Sequence, residues 1–421
     1  MKKLLFTIQW YPPKDSANVL CDDKIIKTFL ESGEYEIHAL TYLDKKQPYN
    51  ETVNGIEVHR FKTGIVHRLK KRAQKSNKVT AKIYLKIERL ILRLKQFLTI
   101  PIYPFYEPFL CKKFAKLAIK LHKKEKFDMV ISEHNGLDTL YAGHKLKEFD
   151  PEIKFTAILW DPITGKIPAK YLPKKYAEKK LKKAEFKLLN NADKIIAMKS
   201  SENYHLKNSV EKPYFDKFVF LDIPMVVPYG DGKEFDKYLL KDKINMIFAG
   251  YFQLPERDPK HIFNVIDKSK YSENFNCIFL TGSGQTKYLN ELNASFKCNI
   301  IARPFINHDA LIYLYNHSQI CFNIGSVNPR AITCKIFEYM SIGKPIISIY
   351  HIDDEPSIPY LKKYPLALLI DERLSVEENA KKLDEFIENS LNKTVPFEFV
   401  KETFKENTTD AYISIIESLL N

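Results

Sequence analysis

The sequence predicts an α/β protein built from two Rossmann-like domains, each with a mostly parallel sheet covered by helices. A chain of 421 residues is too long for one comfortable core and suits two such domains. Short β-type runs alternate with helical stretches along the whole chain, which is typical of βαβ units. The β-type runs are almost continuously apolar, as expected for strands that are buried on both faces of a sheet.

Thirteen strands are predicted from these runs. The first domain, residues 1–225, is expected to hold strands at 3–8, 35–41, 56–61, 128–132, 154–160, 193–198 and 217–221. The second domain, residues 226–400, is expected to hold strands at 244–249, 276–281, 299–303, 319–324, 345–349 and 367–370. Prolines, glycines and many charges mark residues 223–243 as the hinge between the domains.

Composition indicates a folded protein of the cytoplasm. Apolar residues make up 45% of the chain and charged residues 28%, which is unlike a disordered protein. No apolar run reaches the roughly eighteen residues that a membrane span requires. The first apolar run breaks at Gln9 without a signal-peptide cleavage site. The six cysteines form no CxxC pair and are interpreted as core residues in a reducing compartment.

The positive charge is concentrated in the first domain. Residues 1–240 hold 46 Lys and Arg against 29 Asp and Glu, a balance of +17, whereas the rest of the chain holds 20 against 23, a balance of −3. This asymmetry indicates that the first domain meets an anionic partner, which is a membrane surface, a nucleic acid or an acidic substrate.

A basic helical insertion is predicted at about residues 62–126. Residues 60–126 carry twenty Lys and Arg against three Glu. Apolar residues at helical spacing lie beside a stripe of basic ones, which predicts an amphipathic helix. Its apolar face either packs on its own domain with the lysines in solvent or lies on an anionic membrane, and both can hold. The apolar residues are Ile83, Ile87, Leu90, Ile91, Leu94 and Phe97, and the basic ones Lys82, Lys86, Arg89 and Arg93.

Residues 323–348 carry the most specific pattern, a buried strand, a glycine-containing loop and a short helix. The helix is expected to start near Thr333 as N-cap and to end at Gly343. Its free N–H groups make a diphosphate site, to which Lys335 adds charge. Glu338 lies on the same face and can accept hydrogen bonds from a ribose diol. The alternative is that Glu338 only complements the helix dipole.

The helix, Thr333-Cys334-Lys335-Ile336-Phe337-Glu338-Tyr339-Met340-Ser341-Ile342-Gly343-Lys344-Pro345, resembles the donor-site signature of the retaining, family-4-like GT-B glycosyltransferases. That signature reads roughly Pro-Ser-Lys-x-x-Glu-Tyr-Met-Ala-x-Gly-Lys-Pro. The resemblance runs the length of the chain. Other similar segments are residues 6–13, 54–60, 160–162, 248–260, 282–284, 303–305 and the closing helix at 411–420.

The resemblance implies a GT-B fold, in which two Rossmann-like domains face each other across a cleft and a closing segment, residues 401–421, crosses back to the first domain. It implies transfer of a sugar, with retention and without a metal ion or cofactor, from a nucleotide-diphosphate sugar, most simply a UDP-sugar. The acceptor is expected to be a saccharide or a lipid-linked saccharide in surface polysaccharide assembly. Together with the basic first half, it suggests peripheral association with the inner face of the plasma membrane; no nucleic-acid partner is expected.

The resemblance also assigns site residues. It places His134 and Asp161 on the acceptor side, where His134 orients or deprotonates the acceptor hydroxyl; a lone histidine in a loop is also commonly incidental. Two positions depart from the family. Arg330 replaces the first of two glutamates, at a position that contacts the donor sugar, and residues 14–17 lack the usual Gly-Gly of the first loop. The donor residues are Gly250, Arg257, Lys260, Gly282, Phe305, Arg330, Lys335 and Glu338.

Two other functions remain open from the sequence. One is a GT-B sugar-nucleotide epimerase, and the other is a non-catalytic protein that binds an anionic polymer. A nicotinamide dehydrogenase is disfavoured, because no GxGxxG follows the first strand. No Asp-x-Asp metal motif is present, and the acidic run 353–355 is interpreted as a solvated loop. We expect Glu338→Ala to impair donor use with little change in folding.

Overall fold

The computed structural model describes residues 1–12, 17–44, 47–165, 169, 171–209, 211–329 and 332–420. The chain divides into two compact units, one formed by Met1–Asp222 with Thr409–Asn421 and the other by Ile223–Thr408. Each unit is a sheet with helices, so the predicted α/β class is confirmed. For comparison, the sequence placed the domain boundary at residue 225 and the start of the closing segment at residue 401.

The first unit contains an eight-stranded sheet of order β3-β4-β2-β1-β5-β6-β7-β8, in which every pairing is parallel except that of β3 with β4. Its strands are β1 Lys2–Thr7, β2 Tyr35–Tyr42, β3 Asn50–Val53, β4 Ile56–Phe61, β5 Met129–Glu133, β6 Lys154–Leu159, β7 Lys194–Met198 and β8 Phe218–Leu221. Its helices are α1 Ala17–Glu31, α2 Ile65–Gln74, α3 Lys78–Leu98, α4 Pro108–Glu125, α5 Leu137–Phe149, α6 Lys174–Leu189, α7 Glu202–Asn208 and α15 Thr409–Glu417.

The central strands of this sheet are mostly buried, β1 from Leu4 onward and β5 at every position. β1 pairs with β2 on one side and with β5 on the other, so the direction of chain progression reverses between β1 and β5. In open parallel sheets such a reversal opens a crevice at the carboxyl ends of the two strands, where ligands bind. The residues that follow β1 and β5 therefore lie at a favourable place for a site.

The last helix, α15, completes the first unit. It packs against α1, and its buried Tyr412 hydroxyl donates to the Asp222 carbonyl at 2.7 Å. Glu417 accepts a hydrogen bond of 2.9 Å from the Tyr35 hydroxyl. The C-terminal end of the chain is thus tied to elements formed by residues 1–222.

The basic insertion forms helices α2, α3 and α4. α3 is capped by Asn77, whose side chain accepts from the Thr80 N–H, and none of its 21 residues is buried. Most residues of its predicted apolar stripe are exposed, with Leu90 at 60% and Phe97 at 72% exposure, and Ile91 is half-buried. α4 is the part of the insertion that packs into the core, through Phe114 and Ala118. The amphipathic character of α3 is as predicted, and its apolar face is open to solvent.

The second unit contains a six-stranded parallel sheet of order β11-β10-β9-β12-β13-β14, reversing between β9 and β12. Its strands are β9 Ile244–Ala249, β10 Phe275–Leu280, β11 Asn299–Arg303, β12 Ile320–Ile324, β13 Ile346–Tyr350 and β14 Ala367–Asp371. Its helices are α8 Lys260–Lys268, α9 Ser283–Leu292, α10 His308–His317, α11 Lys335–Ile342, α12 Ile358–Leu361, α13 Val376–Ser390 and α14 Phe397–Thr403.

All thirteen predicted strands are present with ends that differ by at most a residue or two. The strand that sequence reasoning missed is β3. It is a short polar edge strand, joined to β4 by a turn at Asn54 and Gly55, both of which have positive φ. All six cysteines are buried, as predicted for core residues. Within the described residues, no helix is both long enough and apolar enough to span a bilayer.

Candidate active site

Helix α11 begins where the loop after β12 ends, at the carboxyl edge of the second sheet. Its N-cap is Cys334, not Thr333 as predicted; the Thr333 hydroxyl instead accepts from the Lys335 N–H at 3.3 Å. The helix ends at Gly343, which has φ of 80° and is the predicted C-terminal glycine. Ile336, Phe337 and Met340 are fully buried, so the apolar face fixes the helix against the sheet.

Glu338 lies at the centre of a charged cluster. Its carboxylate is fully buried, 2.9 Å from the Lys335 Nζ and 3.5 Å from the His308 Nε2, which enters from the start of α10. Burial opposes ionisation of Glu338, but the positive charge of Lys335 and the hydrogen bond from His308 outweigh it and lower the carboxyl pKa to about 2. Burial also opposes the charge of Lys335, and Glu338 reverses this and raises the lysine pKa. The cluster therefore holds an ionised carboxylate in the first turn of α11.

Arg257 fixes the loop that leads to α11. Its guanidinium donates to the carbonyl oxygens of Gly325, at 2.9 Å, and Ile324, at the end of β12, and weakly to that of Tyr251 at 3.4 Å. Since a guanidinium has five N–H groups, donors on Nη1 and Nη2 remain for a ligand. Arg257 follows β9, so it bridges the two strands between which the sheet order reverses.

Gly325 is required by the close packing of this loop. Its N–H donates to the Ile349 carbonyl at 2.8 Å, and a Cβ atom there would approach that oxygen to 2.8 Å and the Glu355 side chain to 3.1 Å. Glu355 is buried and accepts from the Ser326 N–H at 3.0 Å and the Ser357 N–H at 2.9 Å. The interpretation of residues 353–355 as a solvated loop was therefore wrong for Glu355, which supports the loop from behind.

The other predicted donor residues follow β9, β10 and β11 at the same edge of the sheet. Gly250 donates its N–H to the Leu280 carbonyl at 3.0 Å, and Gly282 is the N-cap of α9. The exposed ring of Phe305 lies edge-on to that of Tyr251, with centroids 4.8 Å apart. Lys260 is the exposed first residue of α8.

Among the predicted donor residues, Lys335 and Glu338 are in direct contact, and Arg257 holds the preceding loop. Arg330 and the residues of the first loop at 14–16 lie outside the described residues. Sequence reasoning missed His308, Tyr251 and Glu355. His308 is thirty residues from Glu338 and follows a different strand, so only the pairing of the strands relates the two.

The two predicted acceptor residues contact each other in the first unit. His134, just after β5, is buried and donates from Nδ1 to the Asp161 carbonyl at 2.9 Å. The Asp161 residue itself is exposed after β6. Neither residue lines the cavity that the first unit contains nearby.

That cavity, called here the β1–β5 cavity, has a volume of about 500 Å³ and lies at the reversal point of the first sheet. One wall is formed by residues that follow strands, and the other by the basic insertion. Asp138 lies in the wall, where its carboxylate accepts from Gln9 Nε2 at 2.7 Å and from the Tyr42 hydroxyl. The strand side contributes Gln9, Trp10, Gly136 and Asp138, and the insertion side His67, Tyr103, Phe105, Tyr106 and Glu107.

Behind this cavity lies a group of buried carboxyl groups. Burial raises the pKa of Glu133 to about 8, and burial together with the neighbouring Glu133 raises that of Asp22 well above its usual range. Burial also raises the pKa of Asp138. Desolvation disfavours the charged form of each group, and Glu133 therefore holds a proton near neutral pH.

One further group, Glu36, His38 and Glu125, has the ligand types of a metal site. Lys3 lies among them, with its Nζ 2.9 Å from Glu36 and 3.5 Å from Glu125. The lysine therefore supplies the cation that balances these carboxylates. The group lies where β1 and β2 begin, at the opposite edge of the sheet from the β1–β5 cavity.

No protein-family model matches the sequence, and no curated protein matches it. Solved structures do match over the whole chain. The E. coli trehalose-6-phosphate protein bound with UDP-2-fluoro glucose has a TM-score of 0.62 at 12% identity, covering 100% of this chain and 99% of that one. The α,α-trehalose-phosphate synthase (UDP-forming) from Burkholderia xenovorans, in complex with glucose-6-phosphate, has a TM-score of 0.60 at 10% identity and covers 100% of both chains.

HepE from Anabaena, in complex with UDP-glucose, is similar at a TM-score of 0.57 and 14% identity, covering 100% of this chain and 99% of that one. These similarities establish the GT-B fold for this chain. At such identities the shared property is the fold, and function has to be argued from the site.

Proposed function

We propose that this protein is a GT-B glycosyltransferase that uses a nucleotide-diphosphate sugar, most simply a UDP-sugar, bound at the carboxyl edge of the second sheet. The observation that carries the proposal is the buried, ionised Glu338 held by Lys335 and His308 at the start of α11. The UDP-sugar and UDP complexes among the structural neighbours support the same class of donor.

In this proposal, the diphosphate meets the N-terminal end of α11, where backbone N–H groups and the helix dipole favour negative charge. Arg257 and Lys260 add donors to the leaving group as the bond to the sugar breaks. Glu338 accepts from the hydroxyl groups of the ribose, and Lys335 keeps it ionised for that purpose. The reaction then proceeds with retention and without a metal ion.

The nucleobase is proposed to lie against Phe305, beside Tyr251. We expect Phe305→Ala to weaken UDP binding roughly tenfold, because stacking of a base on an aromatic ring contributes about 1–3 kcal/mol. Isothermal titration calorimetry with UDP measures this. Phe399→Ala is the matched control, because Phe399 is equally exposed, at 43% against 44%, and lies on α14 of the same unit.

A screen of UDP-, GDP- and ADP-sugars for donor hydrolysis tests the activity itself. Turnover of a donor without an acceptor into an epimeric sugar nucleotide would indicate the epimerase instead. Absence of turnover, together with no thermal shift from any nucleotide and equal UDP titrations for Phe305→Ala and wild type, would contradict the proposal. That outcome would favour the non-catalytic polymer-binding protein.

We further propose that the protein works in the cytoplasm at an anionic membrane surface, on a saccharide or lipid-linked acceptor of surface polysaccharide assembly. Helix α3 carries six basic residues and one acidic residue in 21, and its exposed apolar residues recur every three or four positions. An amphipathic helix of this kind lies in the membrane interface, with about 1 kcal/mol from each basic residue near the surface.

Sedimentation with vesicles of phosphatidylcholine, with and without phosphatidylglycerol, tests this surface. We expect binding only to the anionic vesicles, weaker at high salt, and at least a tenfold loss of binding for Leu90→Glu. Phe186→Glu, an exposed position on α6 of the same unit, is the control for the change of charge. Equal vesicle binding by Leu90→Glu and wild type would contradict the proposal. Self-association of the protein through α3, without binding to vesicles, would contradict it as well.

A further inference from the structure

The β1–β5 cavity lies in a strongly basic domain, but the described residues of its wall include acidic side chains and no lysine or arginine. The first 240 residues carry a net charge of +17. Yet no lysine or arginine is among the described residues that line the cavity, whereas Asp138 and Glu107 are. The positive charge of this unit therefore lies outside the described wall of the cavity. The lining favours an uncharged ligand over an anionic one.

Nearby lysines are held by acidic partners. Lys71 pairs with Asp44, and Lys95 pairs with Glu107 at the cavity wall. A phosphate that entered the cavity would lose its hydration without meeting a lysine or arginine among the described residues of the wall, which is unfavourable. Entry of a phosphate is unfavourable whether Asp138 is ionised or protonated, because a protonated carboxyl offers only one donor and no positive charge.

The wall instead offers aromatic faces that are already fixed in place. The centroid of the Trp10 ring lies 5.4 Å from that of Tyr42 and 4.8 Å from that of His67. The Tyr106 ring is edge-on to the Tyr103 ring, with centroids 5.6 Å apart. Rings that brace each other lose little freedom on binding. Their negative faces attract the polarised C–H groups of a sugar ring. Gln9 and the Asp138 carboxylate provide the few polar groups that orient a ligand in such a cavity.

We infer that the β1–β5 cavity binds an uncharged sugar ring of the acceptor and excludes sugar phosphates. The inference rests on the proposed transferase function, whose acceptor substrate it specifies. The cavity volume of about 500 Å³ falls in the range of roughly 300–1,000 Å³ usual for small-molecule sites. The insertion supplies one wall, so the same segment that carries α3 shapes the recognition of the acceptor.

Saturation-transfer NMR on the full chain tests this inference. The probes are methyl glycosides of glucose, galactose, mannose and N-acetylglucosamine, together with glucose 6-phosphate at equal concentration. We expect saturation of at least one neutral glycoside and at least a fivefold loss of that signal in Tyr106→Ala. Phe109→Ala is the control, because Phe109 belongs to the same insertion, is 85% exposed and does not line the cavity.

The inference would be overturned if glucose 6-phosphate gave a Tyr106-dependent signal larger than those of the neutral glycosides. It would also be overturned if no neutral glycoside gave a signal that depends on Tyr106. Calorimetry with UDP on the same preparations separates the two proposals. UDP binding without Tyr106-dependent glycoside binding refutes the acceptor inference alone. Glycoside binding without nucleotide binding refutes the transferase and leaves a saccharide-binding cavity.

Discussion

Replacing Glu338 by alanine is expected to destabilise the second unit by about 3 kcal/mol, the lower end of the range for breaking a buried ion pair, because it leaves the Lys335 ammonium, whose side chain is 21% exposed, without a counter-charge. This differs from the sequence-based expectation that folding would change little, which considered only a small role of Glu338 in capping the helix. Differential scanning calorimetry measures the loss. Glu378→Ala is the matched control, since Glu378 forms an exposed ion pair with Lys382 at the same distance of 2.9 Å. An exposed pair contributes about 0–1 kcal/mol.

The double variant Lys335→Met/Glu338→Leu distinguishes the contribution of the ion pair to stability from its contribution to UDP binding. Removing both charges of a buried pair is often neutral for stability, so we expect most of the lost stability to return. UDP binding is expected to stay abolished, because the carboxylate proposed to hold the ribose is still missing. Stability of Glu338→Ala within 1 kcal/mol of wild type would show that the pair does not hold the helix start. UDP binding by the double variant at wild-type affinity would show that the nucleotide lies elsewhere.

The stability of the first unit is expected to fall as the pH rises from about 5 to 8, and Glu133→Gln is expected to remove much of this fall. Glu133 has its pKa raised from 4.5 to about 8 by burial. Between these values the folded protein binds a proton that the unfolded chain has released, so stability decreases with increasing pH. For one such group, the free energy of unfolding falls by up to about 1.4 kcal/mol per pH unit within this window.

Urea unfolding at pH 5, 6.5 and 8 measures this dependence. Both tryptophans of the chain, Trp10 and Trp160, lie in the first unit, so their fluorescence reports that unit. Glu152→Gln removes an exposed glutamate from the same unit and serves as the control. Stability of Glu133→Gln that declines with pH as steeply as that of wild type would contradict the assignment. Asp22 and Asp138, whose pKa values burial also raises, are expected to leave a smaller residual slope.

Much of the fold could be predicted because its strands carry strong local signals. Runs such as Ile244–Ala249 are apolar at five of six positions and buried at every position, so periodicity was not needed to find them. β3 was missed because its burial is shallow and its side chains are polar. The one local sign of it was Asn54-Gly55, a dipeptide that favours the tight turn of a hairpin.

The site could be predicted only where its residues are close in sequence. Lys335 and Glu338 are one helical turn apart, so their contact follows from the helix alone. His308 reaches the same carboxylate from another helix, and Glu355 reaches the loop at Ser326 across the sheet edge. No sequence spacing encodes such contacts, because they depend on the order of strands. The binding and catalytic roles assigned to all the predicted site residues stay predictions.

The position of α15 has a consequence for how the chain can be synthesised and dissected. Its Tyr412 is fully buried within a unit that otherwise consists of residues 1–222. On the ribosome, that unit lacks its last helix until the entire second unit has been made. A fragment cut at Asp222 would expose the surface of α1 that α15 covers, whereas residues 223–408 contain the whole of their own sheet in one continuous stretch of chain.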